Sequence, residues 1–420
     1  MAPTRETRGR RPQGQRRLRS AACALLALAA AIWSAPPAAH AAPHRAGNPL
    51  ARRAMWIWEL GSTSGGNVPQ IISAAHAYGV GTVILKSSDG TSFWSSQFSA
   101  GLISQLHAGG LRVCAWQYVY GNHPITEAYR GAEAVRDGAD CLIIDAESEY
   151  EGKYVSAQSY IRRLRKLIGY RYLLGLAGFP YIDYHPAFPY SVFLGPGGAQ
   201  VNVPQMYWRD IGTTTDAVFA HTFAYNRIYQ RPIYPLGQLY GSPPAHQIIR
   251  FRQLSRAYGS GGVSWWDWQV ATSGAWSALS RPAGTLAGYA TYRELGTIRR
   301  GATGDMVVWA QEHLISAGYA IGVDGGFGAK TQQAVQSFQT AHGLPADGVI
   351  GTQTWAALLP FRIARITWTT RHGIRQDRTM HPALARAGAV QLAAVPKSAR
   401  RRAKRNEIPG AGGRGGVPGR

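Results

Sequence analysis

Cysteine is scarce in this chain, with 3 among 420 residues. Cys23 lies in an apolar N-terminal run, which leaves Cys114 and Cys141. No Cys/His cluster has zinc-ligand spacing, so no metal site is expected. Acidic residues are few as well, 22 Asp and Glu against 45 Lys and Arg. Such an excess suggests a nucleic-acid ligand until its distribution is considered. Residues 1–55 carry 10 basic and 1 acidic side chains, 361–420 carry 14 and 2, and 56–360 carry 21 and 19. A nucleic-acid groove puts its charge on the fold itself, so that class of partner is set aside. No apolar stretch reaches the ~20 residues of a membrane span. The Gly61-Ser62-Thr63-Ser64-Gly65-Gly66 segment lacks the spacing and the Lys of a phosphate-binding loop. No cofactor is implied.

What is present begins with seven Arg between Arg5 and Arg19, then the apolar run 21–33, then Ala39-His40-Ala41. This three-part pattern reads as a secretory signal peptide over residues 1–41 and predicts a secreted, extracellular protein. In such an oxidising compartment Cys114 and Cys141, at the starts of neighbouring expected strands, either pair or remain two buried thiols. Residues 360–420 read as a basic, solvated tail, with a strand-like stretch at 363–368 and the charge run Arg400-Arg401-Arg402-Ala403-Lys404-Arg405. Anionic wall polymers are the partner such a run would attract.

Between residues 55 and 280 short apolar strands alternate with amphipathic helices eight times. Strands are expected at 55–60, 82–87, 112–118, 141–147, 173–179, 201–208, 232–239 and 262–268. Helical spacing is clear at 68–78, 125–137, 154–168, 216–229 and 245–258, as in Ile248, Ile249, Phe251, Leu254 and Tyr258. Eight strand–helix units in this length predict an α/β fold of the (β/α)8 TIM-barrel type, with an open doubly wound sheet as the alternative. Residues 281–297 read as a linker and 298–359 as a small three-helix domain.

That small unit holds one pattern twice. Asp324-Gly325-Gly326-Phe327-Gly328-Ala329-Lys330-Thr331 returns 23 residues later as Asp347-Gly348-Val349-Ile350-Gly351-Thr352-Gln353-Thr354. Asp-Gly followed by Gly suits a tight turn leading into a helix. On these residues, with R-R-G-A-T-G-D-x-V-x-x-x-Q before them, the unit resembles the peptidoglycan-binding domain appended to bacterial cell-wall hydrolases. The resemblance implies a three-helix bundle docking on peptidoglycan. Phe327, Gln339 and Trp355 are the expected contact face.

In a TIM barrel the site lies at the C-terminal strand ends. Those ends offer Glu59, Lys86, Gln117 and Tyr118, then Asp145 and Glu147, then Gln205, Tyr207 and Trp208, then Gln238 and Tyr240, and finally Trp265, Trp266, Asp267 and Trp268. Carboxylates among aromatic rings suit a sugar site, because pyranose faces stack on rings while acid/base groups act on the glycosidic oxygen. Strand alternation puts Asp145 and Glu147 on one face, where like charges raise one pKa and make a general acid. The stretch Asp140–Glu147 resembles the D-x-x-D-x-D-x-E signature of family 18 glycoside hydrolases, with Ile143 in place of the middle acid. Met206-Tyr207 and Gly262-Val263-Ser264-Trp265-Trp266 are similar to later strands of that family. Family 25 lysozyme-like barrels share a D-x-E on the fourth strand. The family 18 resemblance implies that Glu147 protonates the leaving oxygen. Asp145 would orient the substrate's 2-acetamido group for attack, with Tyr207 in support, and Glu59, Gln205, Trp208, Trp265, Trp266 and Asp267 would bind the glycan. A wall-binding protein with a catalytically degenerate barrel is the competing expectation, favoured by Ile143.

Overall fold

The computed structural model describes residues 47–369. The expected signal peptide and most of the basic tail lie outside them. Among the described residues there are nine strands: β1 (Arg53–Ile57), β2 (Thr82–Asp89), β3 (Ser92–Phe93), β4 (Arg112–Val119), β5 (Cys141–Ala146), β6 (Leu174–Ala177), β7 (Val201–Asn202), β8 (Leu236–Gln238) and β9 (Val263–Trp266). Eight of them pair in parallel in the order β7-β6-β5-β4-β2-β1-β9-β8, and β3 is a short antiparallel partner of β2. The sheet curls until its edges meet through parallel bridges Asn202↔Ile233 and Gln205↔Leu236. The result is a (β/α)8-type barrel, and the open-sheet alternative falls away.

Its helices are α1 (Val68–Ala77), α2 (Ala100–Ala108), α3 (Pro124–Arg136), α4 (Tyr154–Ile168), the single turn α5 (Tyr190–Phe193), α6 (Thr215–Asn226), α7 (Ala245–Ala257) and α8 (Ser273–Ser280). Several start where an Asn, Ser or Thr side chain takes an orphan backbone N–H: Asn67 from Gln70, Ser99 from Leu102, Thr214 from Ala217 and Thr272 from Ala275. The sixth and seventh strand–helix units hold the largest departure from expectation. Strands foreseen at 201–208 and 232–239 shrink to two and three residues. Pro204, Pro232 and Pro235 supply no N–H to a ladder, so pairing there survives mainly as bridges.

Period-two alternation divides the barrel's apolar residues into two layers. Trp56, Ile84, Cys114, Trp116, Cys141, Ile143, Ala177, Val203 and Leu236 fill the interior. Met55, Ile57, Val83, Leu85, Val113, Leu142, Ile144 and Leu176 face the helices. Cys114 and Cys141 are register partners on β4 and β5 and are joined by a disulfide inside the barrel.

Three further helices follow: α9 (Asp305–Ser316), α10 (Ala329–Ala341) and α11 (Thr352–Leu358). The sequence repeat has a matching three-dimensional repeat. In the first turn Gln311 Nε2 donates to Asp324 Oδ1 at 2.8 Å, Gly326 O at 3.1 Å and Thr331 Oγ1 at 3.1 Å, while Gln311 Oε1 accepts from Gly325 N at 3.0 Å. In the second, Gln339 Nε2 donates to Asp347 Oδ1 at 2.8 Å, Val349 O at 2.9 Å and Thr354 Oγ1 at 3.1 Å, while its Oε1 accepts from Gly348 N at 2.9 Å. Each D-G-x-x-G-x-x-T turn is pinned by one Gln from the preceding helix.

These helices pack directly on the barrel's flank. The Asp305 carboxylate, 1% exposed, accepts from Tyr154 OH at 2.8 Å, Ser191 N at 2.8 Å, Ser191 Oγ at 2.7 Å and Tyr229 OH at 2.7 Å. Trp309 Nε1 donates to Ile228 O at 2.8 Å. Gly304 has φ +103°, and a Cβ there would run into the Pro186 carbonyl, so only glycine allows the approach. Residues 361–369, expected to belong to a solvated tail, pack on the fold instead, Phe361 beside Phe338 of α10, Ala364 N on Glu312 O of α9, and 366–368 along α4. Trp368 is buried on Tyr154, and Gln158 bonds both Ile366 O and Trp368 N. The stretch 363–368 forms no strand: its backbone bonds are one from Ala364 N to Glu312 O at 3.1 Å and those with the Gln158 side-chain amide.

Replacing Asp305 with Ala strands two tyrosine hydroxyls and a backbone N–H away from water. Each such group costs ~1–3 kcal/mol, so urea unfolding of Asp305→Ala is expected to show a loss of at least ~3 kcal/mol. The disulfide closes a loop with a sequence separation of 27. A double Cys114→Ala/Cys141→Ala variant is expected to lose ~3–4 kcal/mol by the same measurement, from the loop-closure entropy returned to the unfolded chain.

Candidate active site

The C-terminal ends of the parallel strands form one mouth of the barrel. Alternation turns Trp58, Lys86, Trp116, Tyr118, Asp145, Glu147 and Trp266 toward it. Gln205 enters at the β7–β8 seam. Its Nε2 donates to Asp145 Oδ1 at 3.1 Å and to Glu147 Oε1 at 2.9 Å, so one amide nitrogen holds both carboxyl groups.

Burial and the charge of Glu147 push the Asp145 carboxyl well above the usual carboxylate range; Lys86 opposes this, while Glu149 and Asp89 add to it. Lys86 is itself 4% exposed. Its Nζ donates to Asp89 Oδ2 at 2.6 Å and lies 4.7 Å and 4.6 Å from the Trp94 and Trp116 ring centres. An ammonium ion this far from water is tolerable because a carboxylate and several ring faces replace its hydration.

Around this centre Tyr118 OH donates to Glu149 Oε2 at 2.9 Å, and Tyr120 OH to Asp89 Oδ1 at 2.9 Å. Burial and the charges of Glu147, Glu149 and Asp145 push the Tyr118 hydroxyl up and keep it a proton donor. Across the mouth Tyr207 packs edge-on against Tyr240 with ring centres 5.4 Å apart. Tyr240 OH donates to Asp210 Oδ2 at 2.5 Å. Burial, then the neighbouring Tyr240, Asp145 and Glu147, raise the Tyr207 pKa. Trp266 closes the floor, its ring 5.7 Å from Trp56 and 5.4 Å from Trp116. The following Asp267 is 3% exposed, and burial raises its pKa to about 7 against backbone N–H bonds that lower it, with the Glu59 charge adding to the rise.

Asp145, Glu147, Gln205, Tyr207, Trp266 and Asp267 thus converge, with Glu59 at the rim bonded by Ser62 Oγ at 3.0 Å. Trp208 and Trp265 do not. Trp265 is register partner to Gly237 and faces outward, its ring 5.1 Å from Phe251 of α7 and filling the space a Cβ at 237 would need. Trp208 lies past the Pro204 break, donates from Nε1 to Gln247 Oε1 at 2.9 Å and also packs on Phe251. Gln117, read as a strand-end group, bonds Glu127 O and Tyr160 OH in the helix layer. The expected contact face of the small domain is no surface at all: Phe327, Gln339 and Trp355 are 2%, 1% and 0% exposed. Their motif positions serve turn pinning and core packing.

The sequence reading gave Lys86, Tyr118 and Tyr240 no role and missed Trp94. Lys86 is the sharpest of these, since a lysine ending an otherwise apolar strand is a signal in itself. Among the described residues no set of three or more His, Cys, Asp and Glu side chains is arranged to hold a metal ion. Among those same residues no helix is long and apolar enough to cross a membrane.

A (β/α)8-type barrel joined to a helical peptidoglycan-binding domain is the class that the fold defines. Residues 303–358 match the family described as putative peptidoglycan binding domain, and through that domain the chain belongs to the family. A protein from Kitasatospora aureofaciens, known as the uncharacterized protein in the bpoA1 3' region, is 41% identical over 91 residues, covering 21% of this chain and 75% of that one. The N-acetylmuramoyl-L-alanine amidase CwlM of Mycobacterium tuberculosis is 36% identical over 106 residues, 22% of this chain and 26% of the amidase. The chain therefore spans about a quarter of that enzyme. Among solved structures, the spore cortex-lytic enzyme SleL of Bacillus cereus overlaps 54% of this chain and 73% of its own at 13% identity and a TM-score of 0.41, too slight a likeness to transfer any property.

Asp267 offers a clean pH test. A buried carboxyl whose folded pKa is raised to about 7 stabilises the fold while protonated and loses that contribution as pH climbs from the unfolded value through about 7. Wild-type stability is expected to fall relative to Asp267→Asn across that window, at up to ~1.4 kcal/mol per pH unit. Paired denaturant unfolding at a series of pH values measures it, and parallel curves would refute the assignment.

Proposed function

We propose that this protein is a secreted cell-wall glycoside hydrolase that cuts β-linked N-acetylated glycan, peptidoglycan or a related polymer. The observation that carries this reading is the Gln205 clasp, which holds two carboxyl groups side by side in a mouth walled by Trp and Tyr rings. Membership in the peptidoglycan-binding family supports a site of action at the wall. The expected basic tail suits association with anionic wall polymers.

Glu147 is the acid/base, standing farther along the chain's exit from β5 than the buried Asp145. The pair retains a proton near neutral pH because burial and mutual repulsion hold the Asp145 carboxyl up. Glu147 gives a proton to the glycosidic oxygen as its bond to the anomeric carbon breaks. Asp145, which holds the proton of the free pair, has by then passed it to Glu147 and, now charged, accepts from the N–H of the substrate's 2-acetamido group, whose oxygen attacks that carbon. Tyr207 supports the acetamide. Water then opens the intermediate and returns its proton to Glu147, so atoms and charge balance over the cycle. Gln205 keeps both carboxyl groups oriented throughout, and Trp266 offers a ring to the sugar.

A second reading, a wall-binding protein whose barrel holds glycan without turning it over, is favoured by one observation. Ile143 lies in the barrel interior below Asp145, where the resembling family carries an acid, so no carboxyl at that position relays a proton.

Release of new reducing ends from purified peptidoglycan separates the two. Wild-type release with at least a ~100-fold loss in Glu147→Gln is the expected result, in line with the usual worth of a general acid. Absence of release by wild type, with pelleting on peptidoglycan intact, would overturn the hydrolase reading and leave the binding one.

A further inference from the structure

A cavity of about 670 Å3 lies outside the barrel, between α6 and the segment that leads from α8 to α9. Thr214, Asp216 and Ala217 form one wall, and Tyr289, Tyr292 and Glu294 the other. The location is informative at both ends. Thr214 closes the loop that carries Asp210, the partner of Tyr240 at the mouth. Past Glu294, Leu295 N donates to Thr352 Oγ1 of α11 at 2.9 Å, and Gly296 O accepts from Trp355 Nε1 at 2.8 Å. The groove therefore lies on the flank between the loop that carries Asp210 and the segment that enters the peptidoglycan-binding domain.

Its walls are held in place. Arg250 grips Asp216 through two bonds of 2.5 Å and 3.0 Å, and its guanidinium lies 5.0 Å from the Tyr289 ring centre. Tyr289 OH donates to Asp216 Oδ1 at 3.1 Å. Tyr292 N donates to Tyr258 OH at 3.2 Å, and Arg227 Nη2 donates to Tyr292 O at 2.8 Å. The Tyr292 side chain remains 44% exposed. Ring faces that lose little entropy on contact, beside carboxylates that accept from hydroxyl and amide N–H groups, are the chemistry that recognises a glycan. The groove is broad and open to solvent, which suits an extended strand lying along it rather than an enclosed small ligand.

We propose that this groove is a glycan-strand subsite that bridges the peptidoglycan-binding domain and the barrel mouth. The proposal rests on the reading of the chain as a wall-glycan protein, and its test is set so that catalysis does not enter. In full-length Glu147→Gln protein, binding is titrated with peptide-free glycan strands released from peptidoglycan and, separately, with a trisaccharide of β-1,4-linked N-acetylglucosamine. Ala217→Trp fills the groove from an exposed helix position, and Tyr292→Ala removes the ring from the opposite wall. Each is expected to weaken binding of the long strands about tenfold and to leave the trisaccharide unaffected. Unchanged affinity for the long strands in both variants overturns the proposal, as does an equal loss for the trisaccharide with an unaltered melting temperature. Absence of hydrolysis by wild type would overturn only the catalytic reading and would leave this comparison intact.

Discussion

The buried carboxylate of Asp305 holds the two parts of this molecule in one arrangement. It stands at the first residue of α9 and accepts four hydrogen bonds from three barrel residues on separate segments. Burial raises its pKa to about 6, against bonds from Ser191, Tyr229 and Tyr154 that lower it. A carboxyl taken out of water is tolerated only when its acceptor capacity is met, and here the barrel meets it. Glu312 and His313 lie buried on the same helix: burial and Asp305 push the first carboxyl well up, and burial drives the second group's pKa down to about 4. The junction is thus a polar seam in which Glu312 and His313 are held toward their neutral forms beside the hydrogen-bonded Asp305.

The barrel achieves something similar at its mouth by another route. Alternation along β5 brings two carboxyl groups to one face, and the barrel's curvature brings Gln205 across the seam to meet both. Lys86 lowers the local negative potential without filling the mouth, because Asp89 and the surrounding rings confine its ammonium group. Charge separation within a low-dielectric pocket is what allows one carboxyl to stay protonated while another stays available.

Much of this was legible in the sequence because it depends on short-range rules. The unbroken apolar runs of β2, β4 and β5 could be read as buried parallel strands, and Asp145 and Glu147 as a same-face pair. The repeated Asp-Gly turn gave away the small domain. The failures fall where a one-residue phase or a distant partner decides the outcome. Trp265 and Trp266 are adjacent, and only the β8–β9 register says which one faces in. Trp208 was placed on a strand that Pro204 ends. Phe327, Gln339 and Trp355 are distinctive motif residues, and distinctiveness was mistaken for exposure when it reflects turn chemistry. The docking of residues 366–368 on α4 depends on Gln158, more than 200 positions away in sequence, with no local signature.

The seam at Asp305 also determines how avidity works in this molecule. In most two-part binders a flexible tether converts the second contact into an intramolecular event whose effective concentration depends on tether length. Here that variable is removed, because the helices that follow the barrel are seated on it rather than strung from it. On the proposed glycan-strand reading, the gain from holding two points of one strand becomes all-or-none: a strand presented at the right spacing and tilt meets both at no further entropic cost, and any other presentation meets one. Selectivity among wall architectures would then be a property of a rigid gauge, sensitive to the spacing of strands rather than to their abundance.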